Sequence, residues 1–403
     1  MAGHCAFDEG RLGHRSSTQR ESNEKREDTM GPLAGVRIIE MAGIGPGPFC
    51  GMMLSDMGAE VIRVDRKSAI DLGVEMPRQF NVLNRGRRSI ALDLKTPEGI
   101  AAVKRIAAKC DALIEGFRPG VMERLGLGPD ELLRCNSRLV YGRITGWGQT
   151  GPIASAAGHD INYISLTGML HAIGRSGPPS PPLNLVGDFG GGAMYLAFGV
   201  VCALLEARSS GKGQVIDAAM VDGAASLGAA LFGLKGAGIW NENRADNILD
   251  SGAPWYDVYE TADDKYISVG AIEERFFNLL LEKLDLRAPE LRDRDRSNWP
   301  RLRTALTEAF RTRTRADWCA LMEGSDICFA PVLTMDEAPA HVHMQDRGVF
   351  CEIEGVVQPG PAPRFSRTKP EIKSAPAVIG EHTDEILAEF GFSDAEIERL
   401  NAA

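Results

Sequence analysis

A histidine and two aspartates are the residues of this sequence best suited to moving protons. His159 and Asp160 are adjacent, and Asp188 follows within the glycine-rich stretch Gly187 to Gly192. When a histidine and a carboxylate face each other as two bases, one removes a proton while the other returns one to the opposite face. His159 and Asp188 therefore predict inversion of a carbon centre by proton transfer, without redox chemistry.

The two bases need different surroundings to work at neutral pH. A histidine serves as base or acid there, because its unperturbed pKa is about 6.5. An aspartate returns a proton near neutrality only if burial raises its pKa. We therefore expect an apolar pocket around Asp188, built from Ile161, Leu185, Met194 and Met220.

The glycine-rich stretch that contains Asp188 precedes an apolar run, Ala193 to Ala207, which predicts a buried helix. Backbone N–H groups at the start of a helix have no partner within it, and the helix dipole favours negative charge there. Such donors stabilise an oxyanion as it forms. We expect this segment to supply both a base and an oxyanion site.

Composition limits the class of protein and its partners. The chain has 403 residues, 44% of them hydrophobic and 25% charged, as in ordinary globular proteins. A net charge of -10 argues against nucleic acid or an anionic membrane as a partner. The eight cysteines form no Cys-x-x-Cys pair and no zinc-type cluster, so we expect reduced thiols, no metal site and a cytoplasmic location.

Strand and helix signals alternate along most of the chain, as in an α/β fold with a parallel sheet. Residues 1–30 are expected to be a disordered leader, and 31–220 a large domain that begins with a βαβ unit at Val36 to Val64. We expect a linker helix region at 221–252 and a small domain at 253–335. Residues 336–403 form the predicted return segment, with a proline-rich strap at Pro359 to Pro376 lying over another surface.

The turn Ala42 to Pro48 resembles a dinucleotide-binding loop but departs from it in two ways. Its glycines run Gly-x-Gly-x-Gly, and Pro46 and Pro48 remove two backbone N–H donors from the turn. We therefore expect no nicotinamide cofactor and interpret the glycines as allowing close approach of another ligand or chain.

Arginines near the predicted strand ends suggest a phosphate site in this acidic chain. Arg85 and Arg88 lie in one basic run, and Arg63, Arg66 and Arg118 lie beside strand ends. Guanidinium groups bind phosphates in a bidentate manner and stack on adenine. The alternative interpretation of the basic run is a solvated loop.

Ordered sequence blocks between about residues 31 and 400 resemble the family III CoA-transferase (CaiB/BaiF) superfamily and, within it, the α-methylacyl-CoA racemases. The blocks that carry the resemblance include Glu40 to Pro48, Asn84 to Lys95, Gly116 to Val121, Gly146 to Gln149, Ala157 to Tyr163, Leu183 to Gly192 and Gly270 to Glu273.

The resemblance implies a Rossmann-like large domain built from both chain ends, a smaller inserted α+β domain, and an interlocked homodimer with its active site between subunits. It further implies His159 and Asp188 as the two bases, with Glu273 supporting the histidine and Asp160 beside it. Arg66, Lys95 and Arg118 are the implied contacts for CoA, which is part of the substrate, so no separate cofactor is expected.

The activity implied by the resemblance is racemisation at C2 of 2-methyl-branched acyl-CoA thioesters through an enolate. The alternative is CoA transfer, in which Asp160 acts as the nucleophile that carries the acyl group. A third hypothesis is an acyl-CoA-binding protein without turnover. The choice between the two enzymes depends on whether His159 or Asp160 faces the substrate.

Overall fold

A six-stranded parallel sheet organises the larger part of the chain in this computed structural model, which describes residues 31–67 and 76–402. Its strand order is β3-β2-β1-β4-β5-β6. The strands are β1 (Arg37–Met41), β2 (Glu60–Asp65), β3 (Arg87–Ala91), β4 (Ala112–Glu115), β5 (Val140–Thr145) and β6 (Val215–Ala219).

Apolar residues on both faces of each central strand explain why this sheet lies between two layers of helices. Ile38 and Ile39 are both fully buried, but they belong to different hydrophobic cores because successive side chains of a strand point to opposite faces. The core with Ile39 also contains Ile386 and Phe390 from the C-terminal segment. Residues from both ends of the chain therefore share one core.

Helices cover the sheet and several begin with signals visible in the sequence. Before the helix Pro97–Ala107, for example, the Thr96 hydroxyl accepts a hydrogen bond from the Gly99 N–H, and Pro97 is the first helical residue. The helices of this part are α1 (Pro46–Asp56), α2 (Pro97–Ala107), α3 (Val121–Arg124), α4 (Pro129–Cys135), α5 (Asp160–Leu166), α6 (Met169–Ala172), α7 (Met194–Ser210), α8 (Met220–Leu227) and α9 (Ala229–Gly236).

A second sheet, antiparallel with order β7-β8-β9, has its own apolar core. Its elements are β7 (Tyr256–Glu260), β8 (Tyr266–Gly270), α10 (Glu274–Lys283), α11 (Trp299–Phe310), α12 (Arg315–Met322) and β9 (Phe329–Val332). The chain ends with α13 (Val342–Asp346), the hairpin β10 (Phe350–Ile353) and β11 (Val356–Pro359), α14 (Thr383–Glu389) and α15 (Asp394–Ala402).

The α/β class and the parallel sheet confirm the sequence prediction, whereas the predicted leader lies outside the described residues. Two elements differ from the sequence prediction. The basic run ends in an edge strand, β3, rather than in a solvated loop. The helix predicted to be buried is buried on one side only, since Phe198 and Leu205 of α7 are 71% and 68% exposed and Cys202 is also exposed.

The continuous helical segment Leu185–Ser210 is long and apolar enough to cross a membrane by composition alone. Its buried side, including Leu196 and Val200, belongs to the same core as Ile38 of β1. In this fold the segment is therefore a helix of the sheet's covering layer.

Candidate active site

A large cavity lies at the carboxyl ends of strands β1, β2, β4 and β5, where open α/β sheets usually bind ligands. Its volume is about 1440 Å³. Pockets for small ligands commonly measure roughly 300–1,000 Å³. This cavity is thus large enough for an extended ligand that combines a nucleotide with a long second group.

His159 and Asp188 both line this cavity. The exposed His159 directly precedes helix α5, and its backbone N–H donates a hydrogen bond to Asn162 Oδ1 over 3.0 Å. Asp188 belongs to a π-helical segment, Leu185–Ala193, that continues directly into α7. Segments of this kind occur frequently at functional sites.

Asp188 has close neighbours from two other parts of the chain. Its Oδ2 accepts a hydrogen bond from Asn184 Nδ2 over 3.3 Å. A Cβ added to Gly45 would lie 3.4 Å from the same oxygen, so the turn before α1 approaches the carboxylate closely. Gly45 has a φ of 68°, a left-handed conformation that glycine adopts without steric cost. The glycine-rich turn thus helps to form the site of the base.

Opposing effects act on the pKa of Asp188, and the net result is a raised pKa. Burial makes the largest contribution, because it disfavours the charged carboxylate, and the nearby Asp160 carboxylate also raises the pKa. The hydrogen bond from Asn184 and the charge of His159 lower it. The pKa of Asp188 therefore shifts in the direction predicted for an aspartate that returns a proton near neutral pH.

Asp160 is adjacent to His159 in sequence but has a different environment. Its side chain is buried, and Oδ2 accepts a hydrogen bond from the backbone N–H of Asp188 over 2.6 Å. A Cβ on Gly187 would lie 2.6 Å from that oxygen, so only glycine leaves room for the carboxylate. The carboxylate thereby connects the start of α5 to the segment that carries Asp188.

This hydrogen bond removes one of the oxyanion donors predicted in the glycine-rich stretch. The Asp188 N–H already has an acceptor in Asp160, so it does not point a free donor at a ligand. The N–H of Asp160 itself belongs to the first residue of α5, where an N–H has no partner within the helix. This donor lies next to His159, and the sequence prediction had not considered it.

The apolar pocket predicted around Asp188 is only partly present. Met220 lines the cavity, but Ile161, Leu185 and Met194 do not. These three side chains are 42%, 56% and 45% exposed and lie on the outer surface of this chain. Much of the burial of Asp188 therefore comes from the glycine-rich turn and from packing around the π-helical segment.

Of the five predicted CoA contacts, the structure brings two to the cavity. Arg66 and Arg118 line it, and the Arg66 guanidinium lies 5.9 Å from the centre of the Phe117 ring. Lys95 is exposed and is not among the lining residues.

Arg85 and Arg88 are engaged elsewhere, which corrects their prediction as phosphate ligands. Arg85 is buried and pairs with Asp56 over 2.6 Å. Arg88 pairs with Glu60 over 2.5 Å and with Glu389 over 2.8 Å. Because these carboxylates occupy both guanidinium groups, neither arginine is a candidate phosphate ligand.

Glu273 also lies outside the lining of the cavity formed by this chain. It directly precedes helix α10 beside the antiparallel sheet, and it has no hydrogen bond to His159 within the described residues. A contact between Glu273 and His159 therefore requires a second copy of the chain or a different arrangement of this one.

Several lining residues were not predicted from the sequence. The aromatic pair Trp147 and Tyr163 lines the cavity. Arg63 also lines it, as expected for a strand-end arginine of the predicted phosphate site. The segment Pro376 to Ile379 forms another part of its wall. The predicted proline-rich strap over another surface was the only signal for this last contribution.

The fold and the site together define an α/β protein with a histidine and a carboxylic acid in one cavity that also contains arginines. The model of CoA-transferase family III matches residues 33–383. The chain belongs to this family, which confirms the resemblance seen in the sequence.

Relatives and solved structures cover nearly the whole chain. It is 48% identical to α-methylacyl-CoA racemase of Mus musculus and 45% identical to that of Homo sapiens, in each case over 92% of this chain and 96% of the relative. It is 31% identical to succinyl-CoA:glutarate CoA-transferase of Homo sapiens, over 92% of this chain and 89% of that protein. A CaiB/BaiF family protein from Brucella suis has a TM-score of 0.78 at 27% identity, covering 90% of this chain and 100% of that one.

Proposed function

We propose that this chain is a racemase that interconverts the two C2 epimers of 2-methyl-branched acyl-CoA thioesters. One observation carries the proposal: His159 and Asp188 line the same cavity, while the Asp160 carboxylate is bound to the main chain of Asp188. The identity to α-methylacyl-CoA racemases of mouse and human supports the reaction class.

In the proposed mechanism the two bases act on opposite faces of the carbon next to the thioester carbonyl. For one epimer the ionised Asp188 removes the C2 proton and protonated His159 returns a proton to the other face; for the other epimer the roles reverse. The raised pKa of Asp188 favours this exchange of roles, because it brings the proton affinity of the carboxylate closer to that of an imidazole.

The enolate formed between the two steps needs a hydrogen-bond donor, since a carbon next to a thioester is only weakly acidic. We assign this role to the backbone N–H of Asp160, which is adjacent to His159 and has no partner within helix α5. The Asp160 carboxylate orients the opposite base through the Asp188 N–H. A single residue thus contributes to both sides of the reaction.

Arg66 and Arg118 are the proposed contacts for the phosphates and adenine of CoA, because both line the cavity. Lys95 remains a further candidate at the surface. The absence of a separate cofactor and a cytoplasmic location stay predictions from the sequence.

We further propose that the active unit is a homodimer. Helix α7 exposes Phe198 and Leu205, helix α9 exposes Phe232, and Leu183 is exposed just before the π-helical segment, at 54–71% each. Extended exposed apolar surface of this kind usually marks a protein interface. A partner copy covering it is also the proposed source of the Glu273 carboxylate that supports His159.

Deuterium incorporation tests the proposed reaction. A purified epimer of a 2-methylacyl-CoA is incubated with the enzyme in heavy water, and C2 deuterium and epimer composition are followed together. We expect inversion accompanied by deuterium at C2. If several branched substrates give neither exchange nor inversion, the racemase proposal is refuted.

CoA transfer is the second candidate, supported by the identity to succinyl-CoA:glutarate CoA-transferase and by Asp160 Oδ1, which is buried without a hydrogen-bond partner. Hydroxylamine distinguishes the two functions. Trapping of an acyl group on Asp160, with CoA transferred to a second acid, is the result that favours the transferase.

A further inference from the structure

Tyr163 lies directly beside the main chain that carries His159, and its ring occupies space left by two glycines. A Cβ on Gly146 would lie 2.0 Å from Tyr163 Cε1, and a Cβ on Gly158 would lie 2.7 Å from the same atom. Real side chains do not approach so closely, so both positions need glycine to accommodate this ring. Tyr163 is therefore packed into a closely fitted place one helical turn after His159.

The hydroxyl and the ring edge of Tyr163 are also engaged. The hydroxyl donates a hydrogen bond to the carbonyl of Gly158, the residue before His159. The ring meets Trp147 edge to face, with centroids 4.8 Å apart and planes at 87°. These contacts restrain the backbone on the N-terminal side of His159.

His159 is exposed and directly precedes helix α5, and its backbone N–H donates a hydrogen bond to Asn162 Oδ1 over 3.0 Å. The direction of this exposed imidazole depends on its backbone, which Asn162 holds on one side and Tyr163 on the other.

Tyr163 is buried and lines the same cavity as both bases. Burial raises the pKa of its hydroxyl to about 12, and the charges of Asp188 and Asp160 act in the same direction, against the lowering effect of Arg118. The hydroxyl therefore stays protonated at neutral pH and remains a hydrogen-bond donor.

We propose that Tyr163 is a positioning residue for His159, holding the Gly158 carbonyl so that the imidazole reaches its face of the substrate. This inference rests on the proposed racemase function. It assigns Tyr163 to one of the two bases only, because Asp188 is held by separate contacts with Asp160 and Asn184.

The substitution Tyr163→Phe tests the inference, since it removes the hydroxyl and keeps the ring between the two glycines. Initial rates of C2 deuterium exchange are measured separately for each epimer in heavy water, together with inversion. We expect two rates to fall about 10-fold, as for loss of one hydrogen bond: the rate of inversion, and the rate of deuterium exchange of the epimer that His159 deprotonates. Exchange of the epimer deprotonated by Asp188 should change little, so the ratio of the two exchange rates shifts about 10-fold.

Tyr141→Phe is the matched control, because the Tyr141 hydroxyl also donates to a backbone carbonyl, that of Leu127 over 3.0 Å, but in the core away from the cavity. It should leave the exchange ratio unchanged. A merely structural role of Tyr163 lowers both exchange rates equally; that result, or no change, overturns the positioning role while leaving the racemase proposal intact. A wild-type enzyme with neither exchange nor inversion overturns both.

Discussion

Replacing Asp160 with asparagine separates the two enzymatic interpretations of this site. The Asp160 carboxylate is buried and accepts a hydrogen bond from the Asp188 N–H over 2.6 Å. An asparagine oxygen accepts the same bond but lacks the charge. Hydrogen bonds to charged groups contribute about 1.5–3 kcal/mol and neutral ones about 0.5–1.5 kcal/mol. The substitution therefore weakens this hydrogen bond by about 1–1.5 kcal/mol. If all of it affects the transition state, racemisation falls about 5- to 13-fold.

The companion substitution Asp160→Ala leaves the Asp188 N–H without its acceptor. An unsatisfied buried donor costs about 1–3 kcal/mol, which corresponds to a loss of roughly 5- to 150-fold. If Asp160 is instead the nucleophile, its removal has a larger effect, because the acyl group then has no other residue to bind covalently. Removing a catalytic nucleophile typically lowers the rate on the order of 10⁴-fold or more. The transferase hypothesis therefore predicts near-complete loss of CoA transfer with both substitutions.

Initial rates of epimer inversion by chiral separation and of CoA transfer to a second acid provide the assays, with thermal unfolding to check that each variant is folded. Asp111→Asn is a suitable control, because the Asp111 carboxylate accepts a hydrogen bond from the Arg37 N–H over 2.8 Å at the amino ends of β1 and β4, opposite the cavity. It should leave the rate unchanged. A folded Asp160→Asn variant with no measurable inversion would refute the assignment of Asp160 as a positioning group.

Three further predictions concern the second base and the CoA contacts. Burial raises the pKa of Asp188 in the folded state, so ionisation of this carboxyl destabilises the fold above its unfolded pKa of about 3.9. Asp188→Asn should therefore raise the Tm at about pH 8 and have little effect on it near pH 4. A Tm difference that does not depend on pH contradicts this prediction. Asn184→Ala removes a donor that lowers the Asp188 pKa, so the acidic limb of exchange by that base should move to higher pH, and an unmoved limb counts against the hydrogen bond in solution. Arg66→Gln and Arg118→Gln should each raise the KM for acyl-CoA by about 10-fold or more, with kcat nearly unchanged. Arg88→Gln is the control and should leave the KM unchanged, because Arg88 pairs with Glu389. Equal effects of all three substitutions on the KM would contradict the proposed contacts.

Local sequence patterns were sufficient for most elements of the large sheet. A βαβ unit was predicted at Val36 to Val64, and the structure has its two strands at Arg37–Met41 and Glu60–Asp65. Short apolar runs between turn signals predict such strands because a parallel strand is buried on both faces. Strand β3 was missed, since its charged residues Arg87 and Arg88 do not follow this pattern.

The errors in the site share one physical cause, namely that side-chain partners distant in sequence were unknown. Arg85 pairs with Asp56, and Arg88 pairs with Glu389 about three hundred positions away. A basic run read without these carboxylates suggests free charges for a phosphate. Similarly, Leu185 and Met194 were expected to surround Asp188, but they lie on the outer side of the π-helical segment and α7.

The sequence by itself determined the types of residue that can perform the chemistry, the α/β class and the family. His159, Asp188 and the glycines around them were visible there because proton transfer and close backbone approach need particular residue types. Only the tertiary structure decided which way each side chain faces. It turned Asp160 to the Asp188 N–H and brought Arg66, Arg118 and Tyr163 to one cavity, because these contacts depend on packing between segments far apart in the chain.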